Sequence, residues 1–316
     1  MTTQITKVNE TLIGDSGPGE SRMSRAPYQL VDIGANLTNH RFKVAELKNI
    51  ISRAKDAGVC KILLTGTSEK VSRESLELAR QHSGYFYSTA GIHPHDSKHF
   101  NASTSLSLLE QLASEPECVA IGECGLDFNR NFSPPDDQIL AFQAQVKLAC
   151  KLQKPLFIHE REASDKMTQI LSEHTSEMPP TVIHCFTGTI DEVRKYLDMG
   201  FYIGLTGFLW KDKLKDGVQA ALRSRVIPPE RLMLETDAPF MYPKVDDKKL
   251  PADVKACISD HAKHYLQKYC SFERNEPCSL AATLELIAAF MNVPPAELAE
   301  QTTQNAMRVF QLQNNE

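Results

Sequence analysis

The chain has 316 residues and a formal net charge of −5, and 41% of its residues are hydrophobic and 24% charged. This composition excludes a collagen-like repeat, a coiled coil and a chain that is disordered throughout. The negative charge argues against a surface coated with basic residues for bulk nucleic-acid binding, and no uncharged apolar run is long enough for a membrane helix. The eight cysteines form no Cys-x-x-Cys pair, which predicts reduced thiols rather than a zinc ribbon.

The first 27 residues differ in composition from the rest of the chain. Residues 1–27 are rich in Thr, Ser, Gly, Asn and Glu and lack the apolar core of a secretory signal, so we predict a disordered leader. From residue 28 to residue 316 short apolar runs alternate with longer amphipathic ones, which predicts one folded domain.

The alternation of apolar runs predicts eight strands, each followed by a helix or a long loop. The predicted strands are 29–33, 61–65, 85–89, 118–121, 156–158, 181–183, 201–203 and 232–234. The predicted helices are 43–57, 71–81, 105–113, 135–152, 163–173, 190–199, 213–223 and a helical tail from 279. Eight such units over about 250 residues predict an α/β fold, a closed TIM-type (β/α)8 barrel. An open doubly wound sheet is the alternative, although no Gly-x-Gly-x-x-Gly follows the first strand.

In such a barrel the reacting groups lie at the carboxyl ends of the strands. Carboxylates and imidazoles follow the apolar runs there, from elements far apart in sequence: Asp32, His93, His95, Glu123, His159, His184 and Asp237. Nitrogen and oxygen ligands in this mixture predict a catalytic site for Mg2+, Mn2+ or Zn2+. A metal would lower the pKa of a bound water, and Asp237 is the candidate base for its proton.

Several of these residues also have a simpler structural interpretation. A lone histidine at a strand end is more often a hydrogen-bonded structural residue than a ligand. His93 and His95 flank a proline, so one of them could cap the following helix, and His93 is preferred for the site because it lies closer to the strand. Glu160 and Glu162 are interpreted as solvated loop charges or as partners of Arg161.

Two aromatic residues follow the seventh predicted strand. Phe208 and Trp210 could stack on a base or another ring, and packing within the loop is an equally good interpretation. The sequence alone leaves the two alternatives open.

Three motifs resemble the TatD family of metal-dependent deoxyribonucleases. They are IGECGLDF at 121–128, VIHCFTG at 182–188 and LETDAP at 234–239, and RNEP at 274–277 is similar to a late motif of that family. The similarity runs from about Leu30 to about Phe310. It implies a TIM-type barrel of the amidohydrolase-like superfamily of metallo-dependent hydrolases, and a Mg2+-dependent nuclease that is often a 3'-to-5' exonuclease.

The resemblance also implies roles for individual residues. Glu123, His159, His184 and Asp237 match the metal-binding positions of the family, and His93 matches a position that lines the same site. The catalytic residues are therefore expected to be Asp237, Glu123 and His93.

The segment after the first strand departs from the family pattern. Most relatives have Asp-x-His-x-His there, whereas this chain has Asp32, Gly34 and Asn36. We therefore expect one firm ion site, for Mg2+ with Mn2+ or Zn2+ as alternatives, and a second ion that binds weakly, with substrate. Asn36, Arg161 and Arg274 are the expected substrate-binding residues.

The leading hypothesis is a metal-dependent deoxyribonuclease that hydrolyses DNA phosphodiester bonds as a 3'-5' exonuclease on single-stranded or frayed ends. It implies single-stranded 3' DNA ends as partner, no membrane, a monomer, a cytoplasmic location with the nucleus as alternative, and a role in DNA repair or apoptotic DNA degradation. One alternative is a metal-dependent hydrolase of a small amide, lactone or phosphoester. The other is a non-enzymatic adaptor, against which the intact metal-binding positions argue.

Overall fold

The computed structural model describes residues 28–313, and in this part of the chain eight parallel strands form one sheet in sequence order. The strands are Leu30–Ala35 (β1), Val59–Leu64 (β2), Phe86–Ala90 (β3), Cys118–Asp127 (β4), Leu156–Arg161 (β5), Thr181–His184 (β6), Tyr202–Leu205 (β7) and Leu232–Leu234 (β8). The predicted TIM-type (β/α)8 barrel is confirmed. The predicted leader, 1–27, lies outside the described residues, as do residues 314–316.

Helices cover the outside of the sheet in the described part of the chain. They are Leu47–Asp56 (α1), Glu69–Gln81 (α2), Thr104–Ala113 (α3), Pro135–Leu152 (α4), Ser164–Ser172 (α5), Ile190–Asp198 (α6), Val218–Arg223 (α7), Ala252–Ala256 (α8), Asp260–Tyr269 (α9), Leu280–Met291 (α10) and Pro295–Val309 (α11). Among residues 28–313 no single helix is long and apolar enough to cross a membrane. One pair, Pro277–Met291 with Pro295–Val309, meets the length and composition test only when joined across a 112° bend.

Side chains fill the interior of the barrel. Inward-facing residues of the strands, among them Ile33, Leu63, Phe157 and Met233, form one buried apolar cluster with Phe310, which follows α11. A second and larger cluster lies between the strands and the surrounding helices. Because the interior is packed, polar chemistry is confined to the rim where the strands end.

Hydrogen bonds between the ends of β1 and β8 close the barrel. The Asp32 carboxylate accepts from the backbone N–H of Thr236 at 2.9 Å and from the Thr236 hydroxyl, and the Asp237 N–H donates to the Gly34 carbonyl at 2.8 Å. Burial raises the pKa of Asp32 to about 8, although the Thr236 hydrogen bonds oppose this shift. The closure fixes Asp237 beside the end of β1.

β4 is longer than the strand predicted at 118–121. It continues through a glycine-containing segment in which Gly122 and Gly125 have φ angles of 139° and 148°. A Cβ at either glycine would collide with a backbone carbonyl of β5, that of Phe157 or that of His159. Only glycine permits this conformation at such close approach, so a segment that resembles a loop in sequence stays within the sheet.

The helix predicted at 213–223 begins only at Val218. The Asp212 carboxylate accepts from the backbone N–H of Leu214 at 3.0 Å and of Gln219 at 2.8 Å, which stabilises a turn instead of the first helical turns. The helices α8 and α9 were not predicted from the sequence.

Two fully buried glutamines of α4 hold the backbone at the rim. Gln145 accepts from the Ile92 N–H at 2.8 Å and donates to the Ile92 carbonyl at 3.1 Å. Gln138 makes the same pair of bonds to Asp127, at 2.8 and 3.1 Å. Ile92 and Asp127 both lie next to strand ends that carry predicted site residues. Through these hydrogen bonds α4, on the outside of the sheet, helps to position the site.

We expect Gln145→Leu to lower the free energy of unfolding by about 2–4 kcal/mol, because the buried N–H and C=O of Ile92 lose their partners. Urea denaturation measures the loss. The control is Gln143→Leu, a half-buried position on the same helix. A loss below about 1 kcal/mol, or an equal loss in the control, would contradict this role for Gln145.

Candidate active site

A cavity of about 1360 Å³ opens at the carboxyl ends of the strands. Seven of the predicted site residues line it: Asn36, His93, Glu123, His159, Arg161, His184 and Asp237. Arg274 is not among the lining residues. The structure thus brings together side chains from β4, β5 and β6 and from the segments that follow β1, β3 and β8.

The Glu123 carboxylate is the centre of the site. One of its oxygens, Oε1, lies 3.1 Å from His93 Nε2, 3.1 Å from His159 Nδ1 and 2.9 Å from His184 Nε2. The candidate ligand atoms of His93, Glu123 and His159 all lie within 4.8 Å of one another. These three residues can therefore surround a metal ion, and His184 adjoins them.

Burial and charge shift the ionisation of the cluster in opposite directions. Burial alone would raise the pKa of Glu123, but the imidazoles of His184 and His93 hold it well below its usual range. Burial likewise disfavours charged His184, yet Glu123 and Glu235 raise its pKa well above the usual value. Burial dominates at His93 and lowers its pKa to about 4. His93 is therefore neutral at pH 7, and its Nδ1 accepts from the His95 N–H at 3.0 Å while its Nε2 faces Glu123.

Glu235 orients His184 from behind. Its Oε2 lies 3.1 Å from His184 Nδ1, and its Oε1 accepts from the Cys185 N–H. Glycines make room for this fully buried carboxylate, because a Cβ at Gly34 or Gly204 would lie 2.6 Å from one of its oxygens. The sequence analysis assigned Glu235 no role, although its position two residues before Asp237 is a signal for it.

Asp127 is a second buried carboxylate that the sequence analysis left without a role. Its Oδ2 lies 2.7 Å from His95 Nε2 and 3.5 Å from His159 Nε2. Burial opposes its ionisation, but the neighbouring imidazoles of His159 and His95 hold its pKa below the usual range. His95 thus pairs with Asp127, while His93 contacts Glu123. The signal for Asp127 was its place, with Glu123, in the segment 122–127 that follows the predicted fourth strand.

The carboxylate of Asp237 has a pKa close to neutral pH. Burial raises its pKa to about 7, His184 opposes the shift, and Glu123 and Glu235 add to it. The Asn36 side-chain amide donates to Asp237 Oδ1 at 2.9 Å, which orients the carboxylate.

The two predicted arginines lie in different surroundings. Arg161 lines the cavity. The Arg274 guanidinium instead pairs with Glu46 at 2.8 Å and with Glu276 at 3.2 Å. These contacts join the segment that carries Arg274 to the start of α1.

Burial decides between two pairs of sequence interpretations. Glu160 is buried and accepts from the Ala163 N–H at 2.8 Å, so its interpretation as a solvated charge is wrong. Glu162 is exposed.

Trp210 is buried and its Nε1 donates to the Tyr242 carbonyl at 3.0 Å, which favours packing within the loop.

The chemistry of the donor set fits a divalent cation. A buried carboxylate, a neutral imidazole at His93 and further imidazoles supply oxygen and nitrogen ligands together. In addition, His159 Nε2 is buried without a hydrogen-bond partner among the described residues. A buried polar atom of this kind is expected where an ion or water binds.

Known proteins resemble this chain in sequence and in fold. Residues 31–311 match the family model described as TatD related DNase. A protein of Erwinia tasmaniensis named "3'-5' ssDNA/RNA exonuclease TatD" is 40% identical over 283 residues, which cover 90% of this chain and 100% of that protein. A solved structure of a TatD family hydrolase from Entamoeba histolytica aligns with a TM-score of 0.75 and 26% identity, over 90% of this chain and 99% of that one. A TatD homologue from Escherichia coli K12 has the same fold, with a TM-score of 0.75 and 23% identity, over 91% of this chain and 100% of that one.

We expect metal binding to tighten as pH rises. The raised pKa values of His159 and His184 keep protons on the free site that a cation must displace, and those protons leave as pH rises through these values. The Kd for Mn2+ should fall by at least about tenfold between about pH 6 and about pH 8. Titration calorimetry in two buffers of different ionisation enthalpy measures both the affinity and the proton release.

Glu123→Gln is the reference for that experiment, because it removes the charge that the imidazoles share. It should bind Mn2+ weakly at both pH values. An affinity for the unaltered protein that does not change with pH would contradict the competition between protons and metal.

Proposed function

The chain belongs to the TatD-related DNase family, and we propose that it hydrolyses phosphodiester bonds of nucleic acid as a divalent-metal-dependent 3'-5' exonuclease. The observation that carries the proposal is the ion-sized cluster of His93, Glu123 and His159 at the wall of a large open cavity. Full-length relatives from Erwinia tasmaniensis and Shigella flexneri, both named as 3'-5' ssDNA/RNA exonucleases, support the substrate class. We propose single-stranded 3' ends of DNA as the main substrate.

His93, Glu123 and His159 would hold the cation, with His184 and Asp237 as the further ligands of the proposed site. A bound divalent cation polarises a phosphoryl oxygen and lowers the pKa of a water molecule. Mg2+ is the proposed ion, with Mn2+ and Zn2+ as alternatives. One firm site is proposed, because Gly34 and Asn36 supply no imidazole ligand at the end of the first strand.

The chain's own side chains would divide the remaining work. Asp237 would accept the proton of the attacking water. Asn36 would keep that carboxylate oriented through its 2.9 Å hydrogen bond. Arg161, on the wall of the cavity, would contact a phosphate oxygen.

The size of the cavity favours a polymeric substrate over a small one. Small-molecule sites have volumes of about 300–1,000 Å³, whereas this open cavity has about 1360 Å³. We propose that the protein acts as a monomer, and the eight free thiols support a reducing compartment, the cytoplasm or the nucleus. Its roles in DNA repair and in apoptotic DNA degradation stay predictions.

The proposal is tested on a 5'-labelled single-stranded oligodeoxynucleotide with Mg2+ and with EDTA. We expect stepwise shortening from the 3' end only with Mg2+. Asp237→Asn should lower the rate by about 10²–10⁴-fold, because it removes the base, and Glu123→Gln should abolish cleavage. Thermal unfolding verifies that both variants remain folded.

Glu162→Gln is the matched control, because it removes an exposed carboxylate from the same cavity. It should cleave at the rate of the unaltered protein. Full activity in Asp237→Asn or Glu123→Gln would refute the assigned roles. No cleavage with Mg2+, Mn2+ or Zn2+ would favour the hydrolase of a small amide, lactone or phosphoester.

A further inference from the structure

Two large aromatic side chains are exposed on one wall of the cavity. Phe240, in the segment after β8, is 41% exposed, and Phe272, after α9, is 57% exposed. Both line the cavity that contains Glu123. Exposed apolar rings grouped beside a polar site are typical of a ligand-binding surface.

A cation lies over each of these rings. Lys211 Nζ lies 5.2 Å from the centre of the Phe272 ring, and the Arg41 guanidinium lies 5.2 Å from that of Phe240. Arg41 also donates to the Glu273 carbonyl at 2.8 Å, which joins the two parts of the wall. Both cations line the cavity themselves. The wall therefore combines exposed aromatic rings with positive charge that lies directly beside them.

The base of this wall is packed. Trp210, buried and hydrogen-bonded to the Tyr242 carbonyl at 3.0 Å, meets the Phe272 ring edge to face with the ring centres 6.2 Å apart. Lys211 also lies 5.4 Å from the Trp210 ring. This packing holds Phe272 in place, and the residue remains 57% exposed.

We propose that Phe240 and Phe272 form a base-stacking platform for single-stranded nucleic acid, and that Arg41 and Lys211 contact the backbone phosphates beside the stacked bases. The inference rests on the proposed function and adds the residues that would select the substrate. An unpaired strand presents base faces and phosphates next to each other, and this wall offers aromatic rings for the first and cations for the second. In a duplex the bases are stacked on one another, so their faces are not available to the platform.

The test measures binding of a fluorescein-labelled oligothymidylate by anisotropy, with Mg2+ and in Asp237→Asn protein to prevent cleavage. We expect Phe240→Ala and Phe272→Ala each to raise the Kd by about tenfold. An otherwise identical oligonucleotide with abasic sites should bind the platform variants and their parent equally weakly. Phe272→Trp should retain the affinity, and Phe272→Leu should lose it, because a leucine packs but does not stack.

The control is Leu140→Ala, which removes a side chain that is also 57% exposed but lies on α4. Its Kd should not change. Unchanged affinity in both alanine variants, full affinity in Phe272→Leu, or an equal loss on the abasic oligonucleotide would overturn the stacking platform. Cleavage by the unaltered protein is assayed separately, so a failure of the proposed nuclease activity is distinguished from a failure of the platform.

The phosphate contact has its own readout. Lys211→Met should lower the slope of log Kd against the logarithm of salt concentration by about 1, because binding then releases one fewer counterion. Lys147→Met, at an exposed position on α4, should leave the slope unchanged. An unchanged slope in the Lys211 variant would overturn the contact between Lys211 and the backbone.

Discussion

The site depends on the buried negative charge of Glu123. A carboxylate removed from water is tolerated only beside compensating charge or hydrogen-bond donors, and three imidazole nitrogens within 3.1 Å of Oε1 provide them. They come from the end of β3 and from β5 and β6, so the compensation requires the strand order of the barrel. The pairing of His159 with His184 across β5 and β6, and of Gly125 with His159 across β4 and β5, places them around one oxygen. Glycine in β4 allows the close approach to β5 that this geometry needs.

The other buried carboxylates hold the framework around this charge. Asp32 joins the ends of β1 and β8 through Thr236, and Glu235 occupies the space that Gly34 leaves open. A larger residue at position 34 would require Glu235 to move and His184 to lose its partner. Gly34 of β1 is thus matched by the Glu235 carboxylate, which directly follows β8. The imidazoles around Glu123 come from the β3, β5 and β6 side of the rim.

The sequence predicted the strands, the helices and the positions of the site residues better than the contacts between side chains. The bounds of α4 were predicted at both ends, because proline begins it and an apolar period marks its length. β4 was predicted too short, because glycine has a low strand propensity and favours a loop when the sequence is considered alone. In the folded chain, close packing of β4 against β5 requires glycine at these positions. The strand-end rule located the histidines and carboxylates of the cavity. It did not predict that Asp127 pairs with His95, or that Arg274 pairs with Glu46, because such contacts join residues that only the folded chain brings together.

An acidic protein can select nucleic acid by stacking where it cannot do so by bulk charge. With a net charge of −5 the chain has no general attraction for a long polyanion. Removal of terminal nucleotides requires contact with only a few phosphates, so local cations suffice. On this basis two parts of the cavity would bind different features of one substrate. The Glu123 cluster would engage the phosphate that reacts, and the exposed rings of Phe240 and Phe272 would accept bases only where those bases are unpaired. Preference for single strands would then follow from the geometry of one wall of the cavity, without any contact that reads a particular base.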